Sequence, residues 1–240
     1  MSIDKSAIRD AATVIVIRDR AHDPKVLMGQ RGSKAAFMPN KFVFPGGAVD
    51  PDDHHVPLAN APDDVNQTRL LEDLRPETAS TIGSALFAAA IRELWEETGL
   101  VLGTKAEWPV QPGPDWADYA QTGHLPHAKN LHFMFRAITP PGRPRRFDAR
   151  FFIVDAIDLT GDLDDFSRAS DELSHLQWVP LSQARNVDLP FITGVVLAEL
   201  EGQLDYVGPP ASVPFFKNTD EACLFTNIYG RAPTKEDLGG

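Results

Sequence analysis

Ala90-Ile91-Arg92-Glu93-Leu94-Trp95-Glu96-Glu97-Thr98-Gly99-Leu100 decides how this chain reads. Ala, Arg, Glu and Leu are strong helix formers. Gly99 is a natural stop, because glycine enters the left-handed conformation without a Cβ penalty. The stretch therefore reads as the last turns of a helix. Phe87, Ile91, Leu94 and Thr98 fall on one helical stripe that faces a core. Glu93, Glu96 and Glu97 fall at i, i+3 and i+4, so their carboxylates cluster on a neighbouring face. Like charges at that spacing, close to the negative end of the helix dipole, destabilise the helix. A solvated acidic face and a metal site are both open readings. Arg92 beside the cluster, and Phe44-Pro45-Gly46-Gly47 upstream, favour the second. Hard divalent cations take oxygen ligands, and Mg²⁺ takes a few carboxylates together with substrate phosphates.

Arg92-Glu93-Leu94-x-Glu96-Glu97-x-Gly99-Leu100 resembles the second half of the Nudix box, the signature of the Nudix hydrolases. Gly47-Ala48-Val49-Asp50-Pro51-Asp52-Asp53 resembles the first half, with Asp53 where the family has Glu. The step from Asp53 to Arg92 is 39 positions, longer than the family's box by about 31 residues. The box is interrupted by an insertion over about 54–77.

The 240 residues carry a net charge of −11 and are 42% hydrophobic and 24% charged, the composition of a soluble globular chain with material for a core. That acidity argues against a nucleic-acid partner, which wants a basic face. A single cysteine, Cys223, excludes an internal disulfide and a cysteine-rich zinc site, and a reducing cytoplasm is the expected location. No run reaches the roughly 18 apolar residues that span a bilayer, so no membrane role is expected. Walker-type phosphate loops, Gly-x-Ser-x-Gly elbows and zinc spacings are absent.

Along the chain, 11–17 reads as a buried strand, 25–31 as its hairpin partner and 41–44 as a short strand ending at the Gly46-Gly47 turn. Phe37 and Met38 read as loop-packing residues. Within the insertion, a short helix is expected over Val65 to Leu74, stopped before Pro76, and Thr78 is the expected cap of the helix ending at Thr98. Residues 105–129 read as a connecting excursion with a turn of helix near 115–121, and 130–138 as a strand. Arg143, Arg145, Arg146 and Arg150 concentrate positive charge in an acidic chain, with Arg150 entering a strand over 151–155. Arginine forks suit phosphate oxygens, and charged strand edges stay soluble; both readings stand. Leu189 to Leu204 reads as an amphipathic helix, and the aromatic tail beyond Pro209 is expected to pack back.

The Arg145-Arg146-Phe147-Asp148-x-Arg150-Phe151-Phe152 stretch is similar to one in the branch with interrupted boxes, which includes coenzyme A diphosphatase-like members. The resemblance implies an α/β fold, the Nudix α/β/α sandwich around a mixed sheet, with 1–240 as one domain and 189–240 as a C-terminal helix and tail. It implies Mg²⁺- or Mn²⁺-dependent hydrolysis of a nucleoside diphosphate linked to another moiety, coenzyme A or acyl-CoA favoured, with ADP-ribose and NADH as rivals. A non-catalytic nucleotide-binding regulatory domain is the alternative of another class. Carried over residue by residue, the metal set is Gly47 through its carbonyl, Glu93, Glu96, Glu97 and, near a later strand, Glu172. Glu93 is also the candidate base, and Arg92 holds the glutamates. Arg31, Arg145, Arg146, Arg150 and Phe147 are the substrate-binding candidates. Asp50 and Asp53 are left unassigned. The expected partner is a small diphosphate compound, and a homodimer is left open.

Overall fold

The computed structural model describes residues 7–33, 35, 37–219, 222–234 and 237. Its strands are β1 (Ile8–Arg18), β2 (Lys25–Arg31), β3 (Phe42–Val43), β4 (Gly46–Ala48), β5 (Gly103–Lys105), β6 (His124–Pro126), β7 (His132–Ile138), β8 (Arg146–Asp155), β9 (Leu173–Pro180), β10 (Val213–Asn218) and β11 (Cys223–Ile228). Its helices are α1 (Asp64–Leu70), α2 (Ile82–Thr98), α3 (Ala117–Ala120) and α4 (Phe191–Glu201).

Nine strands form one mixed sheet in the order β11-β10-β7-β8-β1-β2-β3, with β4 on β1 and β9 on β2; β5 and β6 form a separate pair. The central pair, β1 and β8, is parallel from Ile8↔Arg146 to Ile17↔Asp155. Both faces of this pair are covered, which is why Val14 to Ile17 is continuously apolar instead of alternating. Side chains still divide by period two. Ala12, Val14, Val16, Phe152 and Val154 pack under α2, whereas Ile15, Ile17, Phe151 and Ile153 pack under α4. The result is a helix–sheet–helix sandwich, as the sequence leads one to expect. β1 also forks the sheet. Its Ile17 and Arg18 pair with β2, while Ala11 to Thr13 pair with β4.

Several local expectations shift. The long helix begins at Ile82 behind Thr81, not at a cap on Thr78. Gly46 and Gly47 lie in β4, not in a plain turn. Strand β8 starts at Arg146, so Arg146 and Arg150 lie in buried strand rather than on a charged edge, whereas Arg143 and Arg145 stay exposed in the bend before it. The tail supplies β10 and β11 to the sheet; Asp220, Glu221, Lys235, Glu236 and residues 238–240 lie outside the described residues.

Candidate active site

Helix α2 ends where its glycine predicts. Gly99 takes φ of 76° and donates its N–H to Trp95 O at 2.7 Å. That stop leaves Glu93, Glu96 and Glu97 on the last turns, facing β4. The approach is close. A Cβ on Gly47 would lie 2.2 Å from Glu93 Oε1, and one on Gly46 would lie 2.5 Å from Ala12 O. Only glycine fits at either position. Gly46 N donates to Glu97 Oε2 at 2.8 Å.

Arg92 is the hub. Its five N–H groups are all engaged: Nε on Asp53 Oδ1 (3.0 Å), Nη1 on Glu93 Oε1 (3.0 Å) and Glu96 Oε2 (3.1 Å), and Nη2 on Ala48 O (2.9 Å) and Asp53 Oδ2 (3.0 Å). Burial alone would lower its pKa, but the hydrogen bond to Asp53 and the charges of Glu93, Asp53 and Glu96 hold it above its usual value. Asp53 is 1% exposed and spends its oxygens on Arg92, on Trp116 Nε1 (3.0 Å) and on Asp50 N (2.9 Å). It braces the arginine that braces the glutamates. Sequence left Asp53 unassigned and missed Trp116 altogether, because it was read as part of a connecting excursion. The available signal was aromatic density: Trp108, Trp116 and Tyr119 form a packed group, with 5.2 Å between the Trp116 and Tyr119 rings.

Burial sets the protonation of the glutamates. It raises Glu93 to about 7, Arg92 notwithstanding, and lifts Glu97 well above the usual carboxylate range. Half-buried Glu96 is also raised. Among the described residues no three His, Cys, Asp or Glu form a closed metal cage. The donor set nonetheless fits Mg²⁺ or Mn²⁺, which bind through one or two carboxylates, retained waters and substrate phosphates. Two nearly enclosed carboxylates are costly unless a cation joins them.

Glu93 and Glu96 line a cavity of about 580 Å³, a size that suits a small-molecule ligand. Gly46, Gly47, Arg31, Arg145, Phe147 and Glu172 line it too, as do three residues that sequence had not placed in a site, Phe37, Met38 and Arg143. Phe37 and Phe147 meet edge to face at 5.3 Å. Arg31 is near enough to Glu97 to oppose its raised pKa, and its own Nε is buried without a hydrogen-bond partner.

Arg146 and Arg150 are not in the cavity, which corrects their reading as substrate contacts. Along β8, Phe147, Ala149 and Phe151 face the cavity, and the alternate residues face the α2 side. There Arg150, with no exposed surface, bonds Asp148 O (2.8 Å) and Asp10. Arg146 bonds Thr139 O (3.0 Å) and Asn218 O (3.4 Å). Both act as internal braces.

With the geometry in view, the chain was compared with known proteins. No family model matches it. A solved structure titled a NUDIX hydrolase from Alicyclobacillus acidocaldarius aligns with TM-score 0.59 and 28% identity, covering 85% of this chain and 99% of that one. The fold is that of the Nudix hydrolases. A Caenorhabditis elegans protein whose assigned name is that of a nudix hydrolase is 30% identical over 186 residues, 72% of this chain and 52% of the relative. The chain thus spans about half the length of the curated relative it matches. Both likenesses support a place for the chain in the Nudix hydrolase family. Among the described residues no helix is long and apolar enough to cross a membrane.

Proposed function

We propose that the chain is a Nudix diphosphatase. It cleaves the diphosphate bridge of a nucleoside diphosphate linked to a second moiety, with coenzyme A or acyl-CoA as favoured substrate and Mg²⁺ or Mn²⁺ as cofactor. The observation that carries the reading is the Arg92 hub. It fixes Glu93 against Gly47 and Glu96 beside it at the wall of a substrate-sized cavity. Asp53 and Arg92 are read as the two ends of one interrupted Nudix box, joined by a bidentate ion pair.

In this reading Glu93, Glu96, Glu97 and the Gly47 carbonyl would hold the metal, with Glu172 lining the same cavity from the loop before β9. When bound, the cation would offset diphosphate charge and lower the pKa of water. Glu93 lines the cavity beside Gly47 and would accept the proton of the attacking water. Water adds to one phosphorus, the bridging P–O bond breaks, and two phosphate monoesters leave as a proton is released. Arg31 and Arg145 grip phosphate oxygens, and Phe37 and Phe147, set edge to face, offer aromatic surface to a base. The cytoplasmic assignment rests on the lone cysteine, Cys223.

The test is a panel of coenzyme A, acyl-CoA, ADP-ribose and NADH with Mg²⁺ or Mn²⁺, with products identified by mass. A nucleoside 5′-phosphate (from the coenzyme A compounds, one that keeps its 3′-phosphate) and a phosphorylated partner are expected, with the highest kcat/KM on the coenzyme A compounds. No cleavage of any member would refute the diphosphatase reading. Higher kcat/KM on ADP-ribose or NADH would transfer the assignment to that rival.

A further inference from the structure

The floor of the cavity has a shape that sequence order conceals. Ala48 pairs with Ala11, Ala11 with Ala149, Ala149 with Ala137, and Ala137 with Phe216. These pairings run straight across β4, β1, β8, β7 and β10, and all five residues line the cavity. The neighbouring row on one side holds Arg9 opposite Phe147, and on the other Thr13 opposite Phe151, which in turn faces Phe135. Four consecutive alanines between taller rows form a trough perpendicular to the strands. Pro190, Phe191, Ile192 and Thr193 at the start of α4 border the cavity from above.

One end of the trough is chemical. Ala48 follows Gly47 and gives its carbonyl to Arg92, beside Glu93. The other end is aromatic, where the Phe216 ring lies 6.2 Å from those of Phe191 and Phe225. Neighbouring strands lie about 4.8 Å apart, so four steps span about 19 Å. Extended chain covers about 1.1–1.2 Å per backbone bond, so that length holds about 16 atoms in line. Arg31, in the same cavity with a buried and unpartnered Nε, marks an unmet demand for an acceptor.

We propose that the alanine row is the substrate-arm channel: the enzyme selects diphosphates that carry a long, narrow arm, laid across the strands from the carboxylates to Phe216. The inference rests on the diphosphatase reading and deepens it. A compact sugar would leave most of the trough unfilled, and a ring wider than the gap between the two taller rows would not enter it.

The test uses the intact protein with Mg²⁺ and a series of ADP esters of straight-chain alcohols, read as kcat/KM for release of AMP. On the wild type, kcat/KM rises with arm length and levels off near about 16 atoms. A profile independent of arm length overturns the channel while leaving the diphosphatase reading intact. Absence of AMP from every ester refutes the diphosphatase reading itself. The Ala149→Leu variant raises the floor at mid-trough, and the ratio of kcat/KM for a long ester over ADP-ribose should fall about tenfold, the scale of a few misplaced methylenes in an apolar pocket. Ala149→Ser, which keeps the floor low, should restore the ratio. An unchanged ratio in a folded Ala149→Leu protein overturns the proposal, and the wild-type length series decides it even where that variant fails to fold.

Discussion

Replacing Asp53 by Ala removes the brace from beneath the Arg92 hub. The aspartate side chain has no exposed surface and the arginine side chain is 3% exposed, so solvent does little to relieve the loss. The substitution strips Arg92 Nε and one Nη2 hydrogen of their acceptor and orphans Trp116 Nε1 and Asp50 N. Breaking a buried ion pair costs about 3–5 kcal/mol. Arg92 retains Glu93, Glu96 and, at 3.4 Å, Asp50, which places the expected cost near the lower end, about 3 kcal/mol. In a chain of this size each kcal/mol moves the midpoint by about 2–4 °C, so Tm should fall by about 6–12 °C. The kinetic signature separates bracing from bulk stability. Arg92, freed on one side, no longer fixes Glu93 and Glu96, so kcat should fall at least about tenfold with KM nearly unchanged, measured well below the variant's Tm. Calorimetry and steady-state kinetics on the same preparation are the assay. A Tm within about 2 °C of wild type, or a destabilised variant with wild-type kcat, would refute the reasoning that Asp53 works through Arg92.

Glu93 gives a pH prediction. Its folded pKa, about 7, lies above the ordinary 4.5, so the folded state binds its proton more tightly than the unfolded state does. In chelator, its contribution to stability should therefore be fully present below pH 4.5 and lost, by about 3 kcal/mol in all, as pH rises from 4.5 through 7. Added Mg²⁺ should flatten that decline, and parallel melts that do not diverge above pH 7 would count against a cation at the glutamates. Glu97→Gln should abolish metal-dependent turnover yet leave the metal-free protein at least as stable as wild type, because burial already disfavours the charged form of Glu97 and the amide oxygen can still accept from Gly46 N; turnover at the wild-type rate would sink the assignment. Arg145→Ala should raise KM without moving Tm, whereas Arg150→Ala should cost about 3 kcal/mol, the lower end for a broken buried pair because Arg75 and Arg136 still hold Asp10 and Asp148, which urea titration reads directly. Equal stability of the two variants would contradict the two-faced reading of β8.

The part of the site that sequence revealed is the part written in local periodicity. Glu93, Glu96 and Glu97 share a helix face because of 3.6 residues per turn, and Gly99 ends the helix because of its own conformational freedom. The opposite outcome for Arg146 and Arg150 has the same source at period two. Once β8 is seen to start at Arg146, every second side chain must turn from the cavity. The start itself was hidden, since the strand was expected only over 151–155, with Arg150 entering it. The alanine trough was hidden for another reason. Its residues are 11, 48, 137 and 149, and only strand register makes them neighbours. The role of Asp53 was a matter of packing: its partner Trp116 is 63 positions away, and no local spacing links them.

The segment between Asp53 and Arg92 shows how far these scales interact. Its two ends meet at one ion pair, so its length leaves the hub undisturbed, and closing a longer loop costs little more than closing a short one. Its interior does structural work at the far edge of the sheet. Arg69 donates to the carbonyls of Pro210, Ala211 and Tyr229 at 2.5, 2.7 and 3.2 Å. Glu72 accepts from Gly230 N at 2.6 Å, and Asp73 pairs with Lys217 at 2.6 Å. Arg75 ties Asp10 to Asp148, and Arg136 reaches back to Glu72 O. These contacts clamp β10 and β11, and β10 supplies Phe216 and Asn218 to the cavity wall. The same stretch of chain thus begins at the carboxylates and secures the far end of the cavity, so the two ends of the cavity are held to one another by covalent continuity as well as by packing.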